Sequence, residues 1–175
     1  MIEDISSLEE FNIRYMQTED EPFLRKWLKS PGMLHWFSVE TEEELEEMVK
    51  IWSGFAKFKC GLTATYQGVP CGFATLFLLP YIKLIHQSMA YIIVDPTMQR
   101  RHIGSALVRN LDHLAHTYFR LERMHYEIYG DNPLKNLLKT QGYKELFLQE
   151  HYIKEGHTYL SRTVLEKHFI KPAVV

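Results

Sequence analysis

The chain has 175 residues, with 20 Lys and Arg against 22 Asp and Glu, a formal net charge of −2 and 46% hydrophobic residues. A chain of this length buries about 70% of its unfolded surface, so it needs neither metal nor disulfide to hold a core, and a single domain over residues 1–175 is expected. Seven Pro and nine Gly exclude a collagen-like or low-complexity chain, and the lack of a basic excess argues against a dedicated nucleic-acid binder.

Phe11 to Gln17 alternates as a strand does. Thr18 then opens a helix, with Glu21 completing a capping box and Pro22 in the first turn. Phe23, Leu24, Trp27 and Leu28 recur at helical spacing until Ser30-Pro31-Gly32 ends the run. An aromatic loop, Met33 to Phe37, follows. Thr41 and Glu44 form a second capping box before a helix whose apolar face is Leu45, Met48, Val49, Trp52, Phe55 and Ala56. Phe58–Tyr66 and Val69–Leu79 read as strands around a turn at Gln67-Gly68, and Gln87–Val94 as a third, stopped by Pro96.

His102 to Phe119 carries the clearest helical pattern, with Ile103, Ala106, Leu107, Asn110, Leu111, Leu114, Ala115 and Tyr118 on one stripe. Met124–Tyr129 reads as a strand and Pro133–Thr140 as a short helix stopped at Gly142. Tyr143–Ile153 and His157–Glu166 close the chain as two strands around Gly156.

A hairpin centred on Gln67-Gly68 puts Cys71 opposite Ala64 and Cys60 opposite Thr75, so the thiols do not face each other and are expected free and buried. The longest apolar stretch, Cys71 to Ile82, is broken by Thr75 and Pro80 and falls short of a membrane span. The N-terminus MIEDISSLEE is acidic where an export signal would be basic and then apolar, so the cytoplasm is the expected location. Asp112, His113 and His116 share a helix face but lack the ligand set of a structural zinc site, and read as a solvated face; no metal is expected.

The stretch Val94-Asp-Pro-Thr-Met-Gln99-Arg-Arg-His102-Ile-Gly104-Ser-Ala-Leu107 carries the most chemistry. A strand ends, a polar loop turns, and a long helix begins. First-turn N–H groups lack internal partners and carry partial positive charge, so they suit a phosphate. Gly104 removes a side chain near the backbone, and Arg100 and Arg101 add cations, which suits a pyrophosphate. A plain helix start with exposed arginines has the same pattern.

These residues resemble the pyrophosphate loop of the GCN5-related N-acetyltransferases, Gln/Arg-x-x-Gly-x-Gly/Ala after a strand ending near Val-x-Pro. The match is Gln99-Arg-Arg-His102-Ile-Gly104 preceded by Val94-Asp-Pro96, with His102 replacing the usual first Gly. A later family signature, Asn-Pro-Ala-x-x-Leu-Tyr-x-x-x-Gly-Phe, is met by Asn132-Pro133-Leu134 through Leu137-Leu138 to Gly142-Tyr143. Here Leu138 replaces the Tyr that often protonates the leaving thiolate. The element order over 11–166 also fits.

The resemblance implies an α/β fold, a mixed twisted sheet of six to seven strands flanked by helices in the order β-α-α-β-β-β-α-β-α-β-β. It implies acetyl-coenzyme A as donor and an amine as acceptor, either a small amine or a peptide N-terminus. The donor would lie between parallel strands at Gln87–Val94 and Met124–Tyr129. Backbone of Ile92, Ile93 and Val94 would hold the pantetheine arm, and a strand N–H would stabilise the oxyanion. Gln99, Arg100, Arg101, His102, Ile103, Gly104 and Ser105 would hold the pyrophosphate, while Asn132 and Asn136 would meet the arm or the adenosine side. Glu127 stands where some ribosomal-protein acetyltransferases carry a Glu, which makes it the candidate base. An edge-strand Glu in a salt bridge is the competing reading. Tyr129, on the same strand face, and Tyr143 are the candidate acids.

Residues 1–50 hold 13 acidic and 5 basic residues, 5 − 13 = −8, and residues 51–175 hold 15 basic and 9 acidic, 15 − 9 = +6. The glutamates Glu40, Glu42, Glu43, Glu44, Glu46 and Glu47 could steer a cationic acceptor, or could simply favour a helix N-terminus. Trp36 and Phe37 could line an acceptor pocket. Two rivals share this frame: a coenzyme-binding module impaired in transfer, and an acyltransferase with another acyl donor. No membrane or nucleic-acid partner is expected, and the chain would be a monomer or homodimer.

Overall fold

The computed structural model describes Asp4 and residues 8–170. The acidic N-terminal reading and the outer ends of the 1–175 span therefore lie partly outside the described residues. Within them the chain runs β1 (Phe11–Tyr15), α1 (Glu21–Leu28), α2 (Glu42–Gly54), β2 (Gly61–Tyr66), β3 (Val69–Leu78), β4 (Gln87–Val94), α3 (Ile103–His113), β5 (Arg123–Tyr129), α4 (Leu134–Thr140), β6 (Lys144–Glu155) and β7 (Thr158–His168). The seven strands form a mixed sheet in the order β1-β2-β3-β4-β5-β7-β6. β4 and β5 run parallel, while β1–β2, β2–β3, β5–β7 and β7–β6 are antiparallel. The expected mixed α/β architecture is the observed one. Among the described residues no helix is long and apolar enough to cross a membrane.

The chain divides into two compact units, Met1–Leu76 with Tyr91–Leu111 and Phe77–Ala90 with Asp112–Val175. In the first, α1 and α2 bury Leu24, Trp27, Leu28, Leu45, Val49 and Trp52. Trp27 packs on Phe73 of β3 at 4.8 Å between ring centroids, and Trp52 on Tyr91 of β4 at 5.6 Å. Side chains alternate along β3, so Gly72 faces the opposite side, where α3 lies. A Cβ on Gly72 would sit 2.9 Å from Leu107 Cδ1, 3.2 Å from Ile103 Cγ2 and 3.2 Å from the Ile93 carbonyl. The missing side chain is what lets α3 approach the strands.

The start of α1 differs from expectation. Thr18–Asp20 form a 3-10 turn, and Asp20 rather than Glu21 accepts the Gln17 N–H at 2.9 Å. Asp20 also accepts from both Arg14 guanidinium nitrogens at 2.7 Å and from Thr63 Oγ1 at 2.7 Å, tying β1, α1 and β2 together. Burial pushes its carboxyl up, but these donors outweigh that and hold it below the ordinary carboxylate range. Glu21 instead pairs with Arg25 at 2.8 Å. The second capping box forms as read, with Glu44 N–H donating to Thr41 Oγ1 and Glu44 Oε2 accepting from Thr41 N–H.

Gln67 and Gly68 both have positive φ, 50° and 77°, as a two-residue hairpin turn requires. The register is one residue off beyond Thr65, because a bulge sets Ala64 opposite Gly72 and Gly61 opposite Thr75. Cys71 occupies the bulge and its thiol reaches the Ala64 carbonyl at 3.4 Å. Both cysteines are free and buried. Burial pushes Cys60 up to about 11 and Cys71 to about 12, so neither thiol is a nucleophile near neutrality.

The long helix also differs. Past His113 it widens into a π turn over Leu114–Tyr118, where Phe119 N–H reaches the Leu114 carbonyl. The wider turn shifts the side-chain phase, so Tyr118 is exposed. Asn110 is exposed as well and bonds the Ala106 carbonyl at 2.9 Å, while Val108 takes a buried place the spacing did not assign.

In the second unit, β5 pairs with β7 along its whole length, from Arg123 opposite His168 to Tyr129 opposite Arg162. β6 and β7 form a hairpin around Gly156, whose φ is 60°. Asp112, read from spacing as part of a solvated face, is buried: it accepts from Tyr143 Oη at 2.6 Å and Lys167 Nζ at 2.7 Å. Spacing along one helix could not reveal partners 31 and 55 residues away.

Gly72→Ala should destabilise the protein by about 1–3 kcal/mol in denaturant unfolding, because the added methyl would crowd the fully buried Leu107, Ile103 and the Ile93 carbonyl together. Asp20→Asn should cost about 1–3 kcal/mol at pH 7. The Asp20 carboxyl is lowered in the fold, so its contribution is present above pH ~4 and is lost as pH falls through the lowered value. The stability gap between wild type and Asp20→Asn should therefore narrow on acidification, measured by unfolding at pH 7 and pH 2.5.

Candidate active site

The end of β4 is held by its neighbours. Ile92 and Ile93 are buried and Val94 half-buried. Asp95 N–H donates to the Cys71 carbonyl at 3.0 Å, and Asp95 Oδ1 accepts from Thr97 N–H at 2.8 Å and Thr97 Oγ1 at 2.7 Å. Pro96–Met98 form a 3-10 turn. Gln99 is then extended, and Arg100 and His102 take left-handed conformations with φ of 66° and 64°. A backbone that enters the left-handed region turns successive N–H groups into a shared concavity, which suits an anion. The first bond of α3 runs from Ala106 N–H to the His102 carbonyl at 3.0 Å.

This geometry gives a physical reason for Gly at the position of His102, since Gly adopts positive φ at no steric cost. His is among the residues that tolerate it better than most. Gln99, Arg100 and His102 are exposed, Arg101, Gly104 and Ser105 half-buried, and Ile103 fully buried as the anchor of the helix. The two arginines are thus available to solvent beside the turn.

In the second unit, β5 presents Glu127 and Tyr129 on one face. Tyr129 Oη donates to Glu127 Oε2 at 3.1 Å, and Arg162 Nη1 to Glu127 Oε1 at 2.9 Å. Arg162 stacks over Tyr152 at 4.0 Å and also reaches Gln149 Oε1 at 2.9 Å, while Tyr129 and Tyr152 stack at 6.2 Å. The salt bridge read for Glu127 forms, but not on an edge strand, because β5 lies between β4 and β7 in the sheet; its partner is an Arg that sequence reasoning missed. Its signal was a lone cation in the apolar alternation Tyr159 to Leu165, but only the β5–β7 register brings it to Glu127.

Tyr143 is placed differently from Tyr129. It packs edge-on against Tyr126 at 5.2 Å, so it lies on the face of β5 opposite Glu127. It is buried, donates to Asp112, and burial pushes its hydroxyl far above the ordinary tyrosine range. Burial raises Asp112 too, against the pull of Lys167 and Tyr143. Leu138 is the fully buried residue of α4. Asn132 Oδ1 accepts the Leu134 N–H at 2.9 Å and so starts α4, and Asn136 is exposed.

In the first unit Trp36 and Phe37 are half-buried, with Phe37 edge-on to Trp52 at 6.0 Å. Three of the six glutamates near α2 have local work: Glu44 in its capping box, Glu46 on Arg25 at 2.9 Å, and Glu42 on Lys29. Glu44 thus caps the helix, while Glu42 and Glu46 pair with cations near the end of α1.

A family model described as the acetyltransferase (GNAT) family matches residues 8–143. Among solved structures, the chain resembles a ribosomal-protein-alanine N-acetyltransferase from Brucella melitensis at 19% identity and TM-score 0.78, covering 90% of this chain and 99% of that one. A spermidine N-acetyltransferase from Vibrio cholerae, solved with CoA and spermine, aligns at 15% identity and TM-score 0.76, covering 91% and 95%. A phosphinothricin acetyltransferase from Sinorhizobium meliloti, solved with AcCoA, aligns at 16% identity and TM-score 0.78, covering 91% and 88%. A sequence search among curated proteins returns no match. The family match begins before β1, takes in the turn at Gln99–Ser105 and ends at Tyr143, and on that extent the chain belongs to the GNAT acetyltransferase family.

Proposed function

We propose that the chain transfers an acetyl group from acetyl-CoA to a primary amine, on a small molecule or a peptide N-terminus, in a ternary complex. The observation that carries this is the left-handed backbone at Arg100 and His102, opening α3 beside two solvent-accessible arginines. Such a turn suits a diphosphate. Residues 1–175 would work as one domain, with Gln99–Ser105 on the diphosphate, backbone of Ile92–Val94 on the pantetheine arm, and Asn132 and Asn136 on the arm or adenosine side.

Acetyl-CoA supplies an activated thioester. The amine must first lose a proton, because an alkyl ammonium has a pKa of about 10. Glu127 would take that proton, directly or through a water. The amine nitrogen would then bond to the acetyl carbon and release its second proton to water, the carbon–sulfur bond would break, and the thiolate would take a proton from water or from Tyr129, which would regain its own from solvent. Tyr143 is better read as a structural partner of Asp112, since it lies on the face of β5 opposite Glu127 and donates to a buried carboxyl. Trp36 and Phe37 would border the acceptor.

A second reading has support in particular residues. Both Glu127 oxygens are engaged, and a buried Leu138 stands where the family often has Tyr. A coenzyme-binding module with weak transfer would look like this.

Titration calorimetry with acetyl-CoA should give saturable heat, and its absence on folded protein would remove the proposal. His102→Gly should raise the thermal midpoint by about 2–4 °C, as relief of ~1 kcal/mol of left-handed strain predicts, and should keep acetyl-CoA binding. His102→Ile should lose both. In amine-panel assays, Glu127→Gln should lower kcat near neutral pH and lose less at high pH, where more acceptor is deprotonated. Tyr129→Phe should lower kcat, whereas Tyr143→Phe should lower stability by about 1–3 kcal/mol with little change in kcat.

A further inference from the structure

Three strands bring one row of side chains together. Arg162 of β7 lies opposite Tyr129 of β5 on one side and opposite Gln149 of β6 on the other. Cross-strand neighbours share a face, and from there the long Arg162 side chain reaches diagonally to Glu127. Its Nη1 donates to Glu127 Oε1 at 2.9 Å and to Tyr152 Oη at 3.3 Å, and its Nη2 to Gln149 Oε1 at 2.9 Å. Its Cζ lies 4.0 Å from the centre of the Tyr152 ring and 5.6 Å from that of Phe147. A planar cation bonded at its fork and covered on its face by a ring has little freedom left.

Tyr152 reaches this cation because the backbone of β6 is distorted. Counting by twos from Gln149 puts His151 on the Arg162 face and Tyr152 on the other. The ladder with β7 is irregular between Gln149 and Ile153, and His151 within that stretch is left-handed, with φ of 53°. The faces are exchanged as a result. His151 packs edge-on against Tyr159 at 5.5 Å, while Tyr152 stacks on Tyr129 and Arg162. Left-handed backbone at a residue other than Gly costs energy. A strained bulge that delivers one ring onto one cation needs a reason, and Glu127 supplies it.

An ionised carboxylate has about four lone-pair sites. Arg162 and Tyr129 take one on each oxygen, so both oxygens keep capacity to accept. With both oxygens tied, the carboxylate cannot turn about its last bond, and its remaining lone pairs have fixed directions. We infer that Arg162 is a positioning residue for acetyl transfer: clamped by Tyr152 and Gln149, it holds Glu127 in the orientation from which a remaining lone pair meets the acceptor amine. The inference rests on the transfer reading with Glu127 as base. The engagement of both Glu127 oxygens is then preparation for proton transfer and no obstacle to it.

Arg162→Ala should lower kcat by roughly tenfold to a hundredfold, as misplacement of a reacting group does. KM for the acceptor should change far less, because Arg162 acts on the base and not on the substrate. Arg162→Lys, which keeps the charge and loses the fork, should stay well below wild type. Guanidinium at millimolar concentration should restore part of kcat in Arg162→Ala, whereas tetramethylammonium, a cation without N–H donors, should restore none. Tyr152→Ala should also lower kcat, and Tyr152→Phe, which keeps the ring, should recover most of that loss. Adding Arg162→Ala to Glu127→Gln should cost little beyond Glu127→Gln alone, since the two side chains act in series. A wild type that transfers to no amine would remove the transfer reading and this inference together. With an active wild type, the inference alone would be overturned by wild-type kcat in Arg162→Lys and Arg162→Ala, by a loss that guanidinium does not relieve, or by losses that multiply in the double variant.

Discussion

The absence of a side chain at Gly72 decides where α3 can lie. Leu107 and Ile103 come so close to that backbone that a methyl group would collide with Leu107 and crowd the Ile93 carbonyl. With α3 seated there, Ile103 is buried at its first turn, and the residues just before it must reverse sharply from the end of β4. The left-handed conformations of Arg100 and His102 are that reversal. The turn suited to a diphosphate is thus a consequence of how closely a helix packs on strands, expressed one turn upstream.

Two polar anchors stabilise the units in different ways. Asp20 gathers Arg14, Thr63 and the Gln17 N–H, and its carboxyl is lowered because the donors outweigh burial. Asp112 gathers only Tyr143 and Lys167, and there burial wins and raises the carboxyl. Counting donors against desolvation accounts for the opposite signs. The two candidate acids differ in partner rather than in burial: both rings are buried, and Tyr143 donates to Asp112 while Tyr129 donates to Glu127.

Glu127 shows how a site can be half legible. Its place on a strand face with Tyr129 followed from two-residue alternation, and the structure shows the pair bonded at 3.1 Å. Arg162, Tyr152 and Gln149 completed the cluster from β6 and β7. No local pattern links residue 127 to 162. That link is a strand register, set by the fold of the C-terminal hairpin.

What the sequence by itself determined is local: the hydrophobic periods that make four helices and the strand alternations, the Thr41–Glu44 cap, the Gln67-Gly68 turn, and the loop motif after Val94. Each depends on interactions within a few residues, so local chemistry suffices. Tertiary structure alone decided the bulge that moved Cys71 off Ala64, the π turn that exposed Tyr118, the burial of Asp112, and the partner of Glu127. Each of these arises where packing between distant segments outweighs the local preference, and sequence spacing carries no record of that competition.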